Sequence, residues 1–258
     1  MRTAISIVLN GIHHLPRQAD IIPNIFDKWI IVEGATKNVK CSSWCQEMPE
    51  AFHDEEGHSI DGTKEYLEKL SEHPKVDVYF ASGLWEGKVS MFNHGLQQSK
   101  PEDGFLWEID IDEYWTQSKV QNTETLMHNT NADVASFICD YLLTDDIIVL
   151  GNWGENRAEG YKRCWRYKQG TLFNSHIPPI LDGESRLLSW QFTPRFEHLS
   201  YYYEDTVKFK SKFYTNHENI YEGWKDITTG KTPLPCGVDQ LFKKPVAEHW
   251  KNTIITYR

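Results

Sequence analysis

The stretch Phe105-Leu106-Trp107-Glu108-Ile109-Asp110-Ile111-Asp112-Glu113-Tyr114-Trp115 drives a hydrophobic run straight into two aspartates one residue apart. In an extended strand successive side chains alternate faces. Phe105, Trp107, Ile109 and Ile111 are therefore expected on one face, and Asp110 and Asp112 on the other. At the end of a buried strand neither acid stays ionised without a partner, and a hard divalent cation that takes oxygen ligands serves both. That reading implies a metal-assisted site for a phosphorylated ligand. The competing reading is that acids after a strand cap a turn or the next helix, with solvent meeting their charge.

A chain of 258 residues with this aromatic content suffices for one compact unit with a sizeable core. The formal charge of −10 and the lack of any Lys/Arg-rich block exclude a protein that coats nucleic acid, while leaving a single nucleotide as a ligand. Ala4 to Leu9 is too short for a signal-peptide core, and no apolar run approaches a membrane span. A soluble, cytoplasmic protein is expected. The five cysteines, Cys41, Cys45, Cys139, Cys164 and Cys236, are odd in number and scattered, so reduced thiols are expected. Cys41 and Cys45 with His53 and His58 fit no established zinc spacing.

The first half alternates strand and helix signals. Strands are expected at Ala4 to Leu9, Trp29 to Glu33, Val76 to Phe80 and Phe105 to Asp112. Tyr66, Leu67 and Leu70 after Asp61-Gly62-Thr63 have helical spacing, as do Val89, Phe92 and Leu96, before Pro101. This order implies an α/β fold with a mostly parallel central sheet flanked by helices and ligands at the carboxyl ends of its strands, where Glu33 and Asp112 sit. Ala35 to Ser59 shows no period and reads either as a long loop over the site or as plain surface. Further on, Ala132 to Leu143 reads as a strand, Tyr161 to Phe173 as a strand pair or a helix, and Glu204 to Tyr214 as a helix. No linker or repeat marks a domain boundary, so 1–258 is expected to be a single domain.

Four segments then occur in a telling order: "ISIVLNGIH", "IIVEGATKN", "MFNHGL" and "IDID". They resemble the first strand, second strand, helix and DXD motif of the GT-A glycosyltransferases, especially family 2-like members. The resemblance covers about the first 115 residues and implies a GT-A, Rossmann-like sheet. Residues 1–115 would be the nucleotide-sugar-binding half, and 116–258 an elaborated acceptor-binding half with C-terminal helices. It further implies a metal-dependent transfer from a nucleotide-diphosphate sugar to a hydroxyl acceptor such as a glycan.

Residue by residue, the resemblance makes Asp110 and Asp112 the pair that holds Mn2+ or Mg2+ against the diphosphate. Glu33, where the family has Asp, takes the place of the acid that contacts base or ribose. Lys88 is a further phosphate or base contact, Asn93 a brace for its helix, and Lys210 a residue that reaches the diphosphate. His198 is implied as the third metal ligand, with His176 as its rival. The segment from Gly154 to Trp165 is similar to the acidic segment preceding "LxxRxWxxG", which makes Glu155 and Glu159 candidates for the catalytic base of an inverting enzyme, with Asp182 behind them. A retaining mechanism stays open. Trp153, Trp165, Trp190, Trp224 and Tyr201-Tyr202-Tyr203 fit an acceptor platform or a core equally. Two alternatives remain: a nucleotidyltransferase, for which "LNGIHHLPR" lacks the Gly-rich phosphate loop, and a non-catalytic nucleotide- or sugar-binding module.

Overall fold

The computed structural model describes residues 1–37, 50–150, 160–176, 179–213, 218–248 and 251–256. The first half alternates β1 (Arg2–Val8), α1 (Leu15–Ile25), β2 (Lys28–Glu33), α2 (Thr63–Leu70), β3 (Val76–Tyr79), α3 (Lys88–Ser99) and β4 (Gly104–Glu108). There follow β5 (Glu113–Tyr114), α4 (Gln117–Thr130), β6 (Val134–Phe137), β7 (Cys139–Thr144), β8 (Ile147–Val149), β9 (Tyr161–Tyr167) and the hairpin β10 (Phe173–His176) with β11 (Pro179–Leu181). The chain continues through β12 (Leu187–Leu188), β13 (Phe196–His198), α5 (Glu204–Phe213), α6 (Ile220–Thr228), β14 (Cys236–Gly237), α7 (Val238–Phe242) and β15 (Thr253–Thr256).

The protein is an α/β protein. Its central sheet has seven strands in the order β12-β6-β9-β4-β1-β2-β3, and β9 alone runs against the others. A second, mixed sheet of six short strands, β14-β15-β8-β7-β13-β5, is built largely from the second half of the chain. Strand alternation sets the two faces of the central sheet. Ala4, Trp29, Ile31 and Trp107 pack with Leu15 and Ile22 of α1, Leu67 of α2, and Val120 and Met127 of α4. Ile5, Ile30, Val32 and Leu106 face Met91, Phe92 and Leu96 of α3 and Phe173 and Leu181 of the hairpin. Gly95 lets α3 settle this low on the sheet: a methyl group there would come within 2.9 Å of both Ile30 and Val32.

Two expectations need correction, and one left open is decided. The strand from Phe105 ends at Glu108 rather than Asp112, because the chain turns at 110–113, where the Glu113 amide donates to the Asp110 carbonyl at 2.9 Å. Phe105, Trp107, Ile109 and Ile111 still enter one apolar cluster, but Asp110 and Asp112 lie on a turn and not on a shared strand face. The single strand expected over Ala132 to Leu143 is two, β6 and β7, which break at Ile138 and join different sheets. Of the two forms considered for Tyr161 to Phe173, the strand form is found: β9 ends at Tyr167 and β10 opens at Phe173. Cys139, Cys164 and Cys236 are reduced thiols. Among the described residues no helix is long and apolar enough to cross a membrane.

Candidate active site

The carboxyl ends of β1, β2 and β4 open on one edge of the central sheet, and the polar residues of the chain's interior gather there. At its centre is Arg163 of β9, a guanidinium with 5% exposure. Its Nε and Nη2 donate to Glu113 at 2.7–3.1 Å. Nη1 donates to Glu108 Oε1 at 3.1 Å and Nη2 to Asp110 Oδ2 at 2.9 Å. One fixed cation therefore serves three carboxylates, a use suited to the planar fork of arginine. It does not compensate them fully. Burial, opposed by Arg163 and reinforced by the neighbouring acids, pushes Glu108 up to about 8 and Glu113 up to about 7.

Asp112 lies beyond this cluster. Its Oδ1 is 3.2 Å from His198 Nε2, and its backbone carbonyl accepts from the Leu199 amide at 2.8 Å. The turn after β4 and the end of β13 are thereby tied together. Burial alone raises the Asp112 carboxyl, but the charge and hydrogen bond of His198, with Lys210 and His14 behind, outweigh it and hold the group well below the usual carboxylate range. Lys210, on α5, is buried, donates to Ser200 Oγ and lies 4.8 Å from the ring centre of Tyr201. Burial lowers its pKa against the pull of Asp112 and Asp110. His14, just before α1, is likewise buried. Desolvation lowers it to about 4, and its Nδ1 is 3.3 Å from Tyr114 Oη.

The structure thus brings Asp110, Asp112, His198 and Lys210 together. Lys88 opens α3, and its charge acts on Glu108 and Lys210. His176, the rival ligand, is at the tip of the hairpin, its Nδ1 3.8 Å from Glu108 Oε1. Asp182 is exposed at the opposite end of that hairpin and does not join the cluster. Glu155 and Glu159 lie outside the described residues, as do Trp153, Cys41 and Cys45. Asn93 braces more than its own helix, since its side-chain amide exchanges two hydrogen bonds of 2.8 and 2.9 Å with the backbone of Phe173.

Glu33 is fully buried at the end of β2. Its Oε1 accepts from the Ser59 amide at 2.6 Å and its Oε2 is 2.9 Å from His58 Nδ1. Asn10, after β1, grips the same segment through Phe52, Ser59 and Ile60 at 2.6–2.9 Å. Residues 50–60 accordingly pack over the ends of β1 and β2, and Phe52 meets Phe209 of α5 edge-on at 4.4 Å.

Sequence reasoning missed Arg163, Glu108, Glu113 and His14. Glu108 and Glu113 flank the aspartates and carried a signal, as acids at the margin of an apolar run. Arg163 sat in a segment whose period left strand and helix open, so no face was assignable to it. Among the described residues no three His, Cys, Asp or Glu side chains converge closely enough to hold a metal by themselves.

No family model and no curated protein matches this sequence. Among solved structures the chain is similar to S. aureus TarS. A 1–349 piece of that protein aligns at a TM-score of 0.44 and 12% identity, over 82% of this chain and 64% of that one. The complex of the same piece with UDP-GlcNAc gives 0.43 and 13%, over 82% and 65%. A further TarS structure gives 0.46 and 11%, over 81% and 38%. The chain thus spans less than two thirds of the length of these structures, and a likeness of this degree carries neither ligand nor activity from one chain to the other.

Proposed function

We propose that this chain is a metal-dependent glycosyltransferase of GT-A type, moving a sugar from a nucleotide-diphosphate sugar to a hydroxyl acceptor, a glycan in the simplest case. The observation that supports it is the meeting of Asp112 and His198, 86 residues apart in sequence, at 3.2 Å on the carboxyl edge of the sheet, where α/β proteins take their ligands.

This pair suits a divalent cation that draws its remaining ligands from diphosphate oxygens and water, because it joins a hard carboxylate oxygen to an imidazole that adds no negative charge. Asp112 and His198 would hold Mn2+ or Mg2+, which when bound offsets the charge of the departing nucleoside diphosphate. Asp110 is already engaged by Arg163, so its part is to fix the turn that carries Asp112. Lys210 and Lys88 bring positive charge to the same edge, as a diphosphate requires. Glu33 acts on the nucleotide through the turn at 58–60 that it holds.

Calorimetric titration of UDP and GDP with and without manganese tests the reading. Binding that depends on the metal is expected. Binding unchanged in excess EDTA overturns the role of the metal, and no binding of either nucleotide overturns the transferase. Release of nucleoside diphosphate from a panel of nucleotide sugars separates an enzyme from a binding module.

A further inference from the structure

Three buried polar atoms at the site lack any partner, His198 Nδ1, Glu108 Oε2 and His176 Nδ1, and the last two belong to neighbouring side chains. An unpaired buried group costs on the order of 1–3 kcal/mol, and the residues that bear these two atoms approach one another, His176 Nδ1 lying 3.8 Å from Glu108 Oε1, the oxygen that Arg163 holds. Neither is free to turn away. Glu108 is fixed by Arg163. His176 packs on Phe92 with ring centres 5.5 Å apart, on a hairpin that Asn93 pins to α3. The side chain of His176 is nonetheless 11% exposed, and of its two nitrogens only Nδ1 is both buried and unpartnered. Nε2 is therefore the nitrogen that reaches the surface of the site.

A carboxyl oxygen behind one imidazole nitrogen, with the other nitrogen accessible, is the arrangement that orients a general base. We propose that His176 is the catalytic base of the transfer and Glu108 the residue that positions it. The inference rests on the transferase reading above and names the group that reading leaves open. In the step, the acceptor oxygen bonds to the anomeric carbon as the bond from that carbon to the diphosphate oxygen breaks. The electron pair of the broken bond leaves with the nucleoside diphosphate, and the acceptor proton passes to His176 Nε2. The Nδ1–H bond then points at Glu108. Catalytic hydrogen bonds are commonly long before substrate binds and tighten in the complex, and 3.8 Å is a starting separation of that kind.

The test uses the full chain with manganese and a panel of UDP- and GDP-sugars, water serving as acceptor. His176→Gln is expected to lower turnover about 100-fold or more while UDP affinity stays within about threefold. His176→Gly is expected to regain turnover with added imidazole, a response that a merely structural histidine does not give. Glu108→Gln is expected to lower the turnover number about tenfold with little change in KM. Wild-type turnover in His176→Gln, or a folded His176→Gly that imidazole does not rescue, overturns the assignment and leaves the transferase standing. A wild-type chain that releases nucleotide from no donor overturns both.

Discussion

The carboxylates of Asp110 and Asp112 turn to opposite partners: Asp110 Oδ2 lies 2.9 Å from Arg163 Nη2 and Asp112 Oδ1 lies 3.2 Å from His198 Nε2. The turn at 110–113 separates them, so Asp110 belongs to the Arg163 ion cluster and Asp112 to the contact with the end of β13.

Asp112→Asn and Asp110→Asn should therefore differ in kind. The first removes charge from the proposed metal pair and should weaken manganese affinity at least about tenfold, roughly 1.4 kcal/mol. The second should leave manganese affinity nearly unchanged and lower the thermal midpoint, since Arg163 loses a partner. Equal effects on metal affinity from both substitutions would show that the aspartates act as one site.

Arg163→Met should be severely destabilising. Above about pH 8, where both acids are ionised, it leaves Glu108 and Glu113 fully buried without their cation, and breaking such a cluster from one side costs about 3–5 kcal/mol. For a chain of this size that is a fall of roughly 10 °C in thermal midpoint. Arg163→Lys should recover only part of it, because an ammonium cannot form the forked contacts to Glu113. A Met variant as stable as wild type above about pH 8 would mean that the three acids stay neutral in the folded state even there.

Stability should fall as pH rises through the neutral range. Burial raises Glu108 to about 8 and Glu113 to about 7 from an ordinary 4.5, so between those limits the folded state binds more protons than the unfolded one. The slope of unfolding free energy against pH is then negative. Their contribution is fully present below pH 4.5 and lost as pH rises through the folded values. Below about pH 6.5 the buried histidines His14 and His176, whose pKa values burial lowers, give a slope of opposite sign and offset this one, so thermal midpoints measured without metal should decline from pH 6.5 to pH 8, and Glu108→Gln should flatten the decline. A midpoint that rises over that range in wild type would show that Arg163 keeps both glutamates ionised.

The legible part of this fold was the part whose signal is periodic. β1 to β4, α2 and α3 follow from apolar spacing, since each buries a regular stripe against the sheet. α4 did not show itself, because its inward positions, Val120, Thr123 and Met127, include a threonine and give little contrast with the outer face. α1 carries Pro23 inside it, which argues against a helix from sequence alone. At the site, Asp110, Asp112 and His198 were readable as residue types, but the turn that parts the two aspartates was not. Arg163 was invisible for a different reason: a buried cation is defined by partners 50 to 55 residues away, and local pattern holds no trace of them.

Glu33 carries the last expectation. Its two oxygens are spent on the Ser59 amide and His58, so its first task is to hold residues 58–60 on the end of β2. Glu33→Gln keeps the shape but replaces an acceptor oxygen with an NH2 donor, which either faces the Ser59 amide as a second donor or gives up the charged contact to His58. The 50–60 segment should then open more often. Hydrogen exchange at the Ser59 amide should quicken, and proteolytic cleavage within 50–60 should increase. Nucleotide affinity should drop in parallel with that opening, and the turnover number at saturating donor should change less. If nucleotide affinity falls while exchange at Ser59 stays at the wild-type rate, Glu33 touches the nucleotide itself, and holding residues 58–60 is not how it acts.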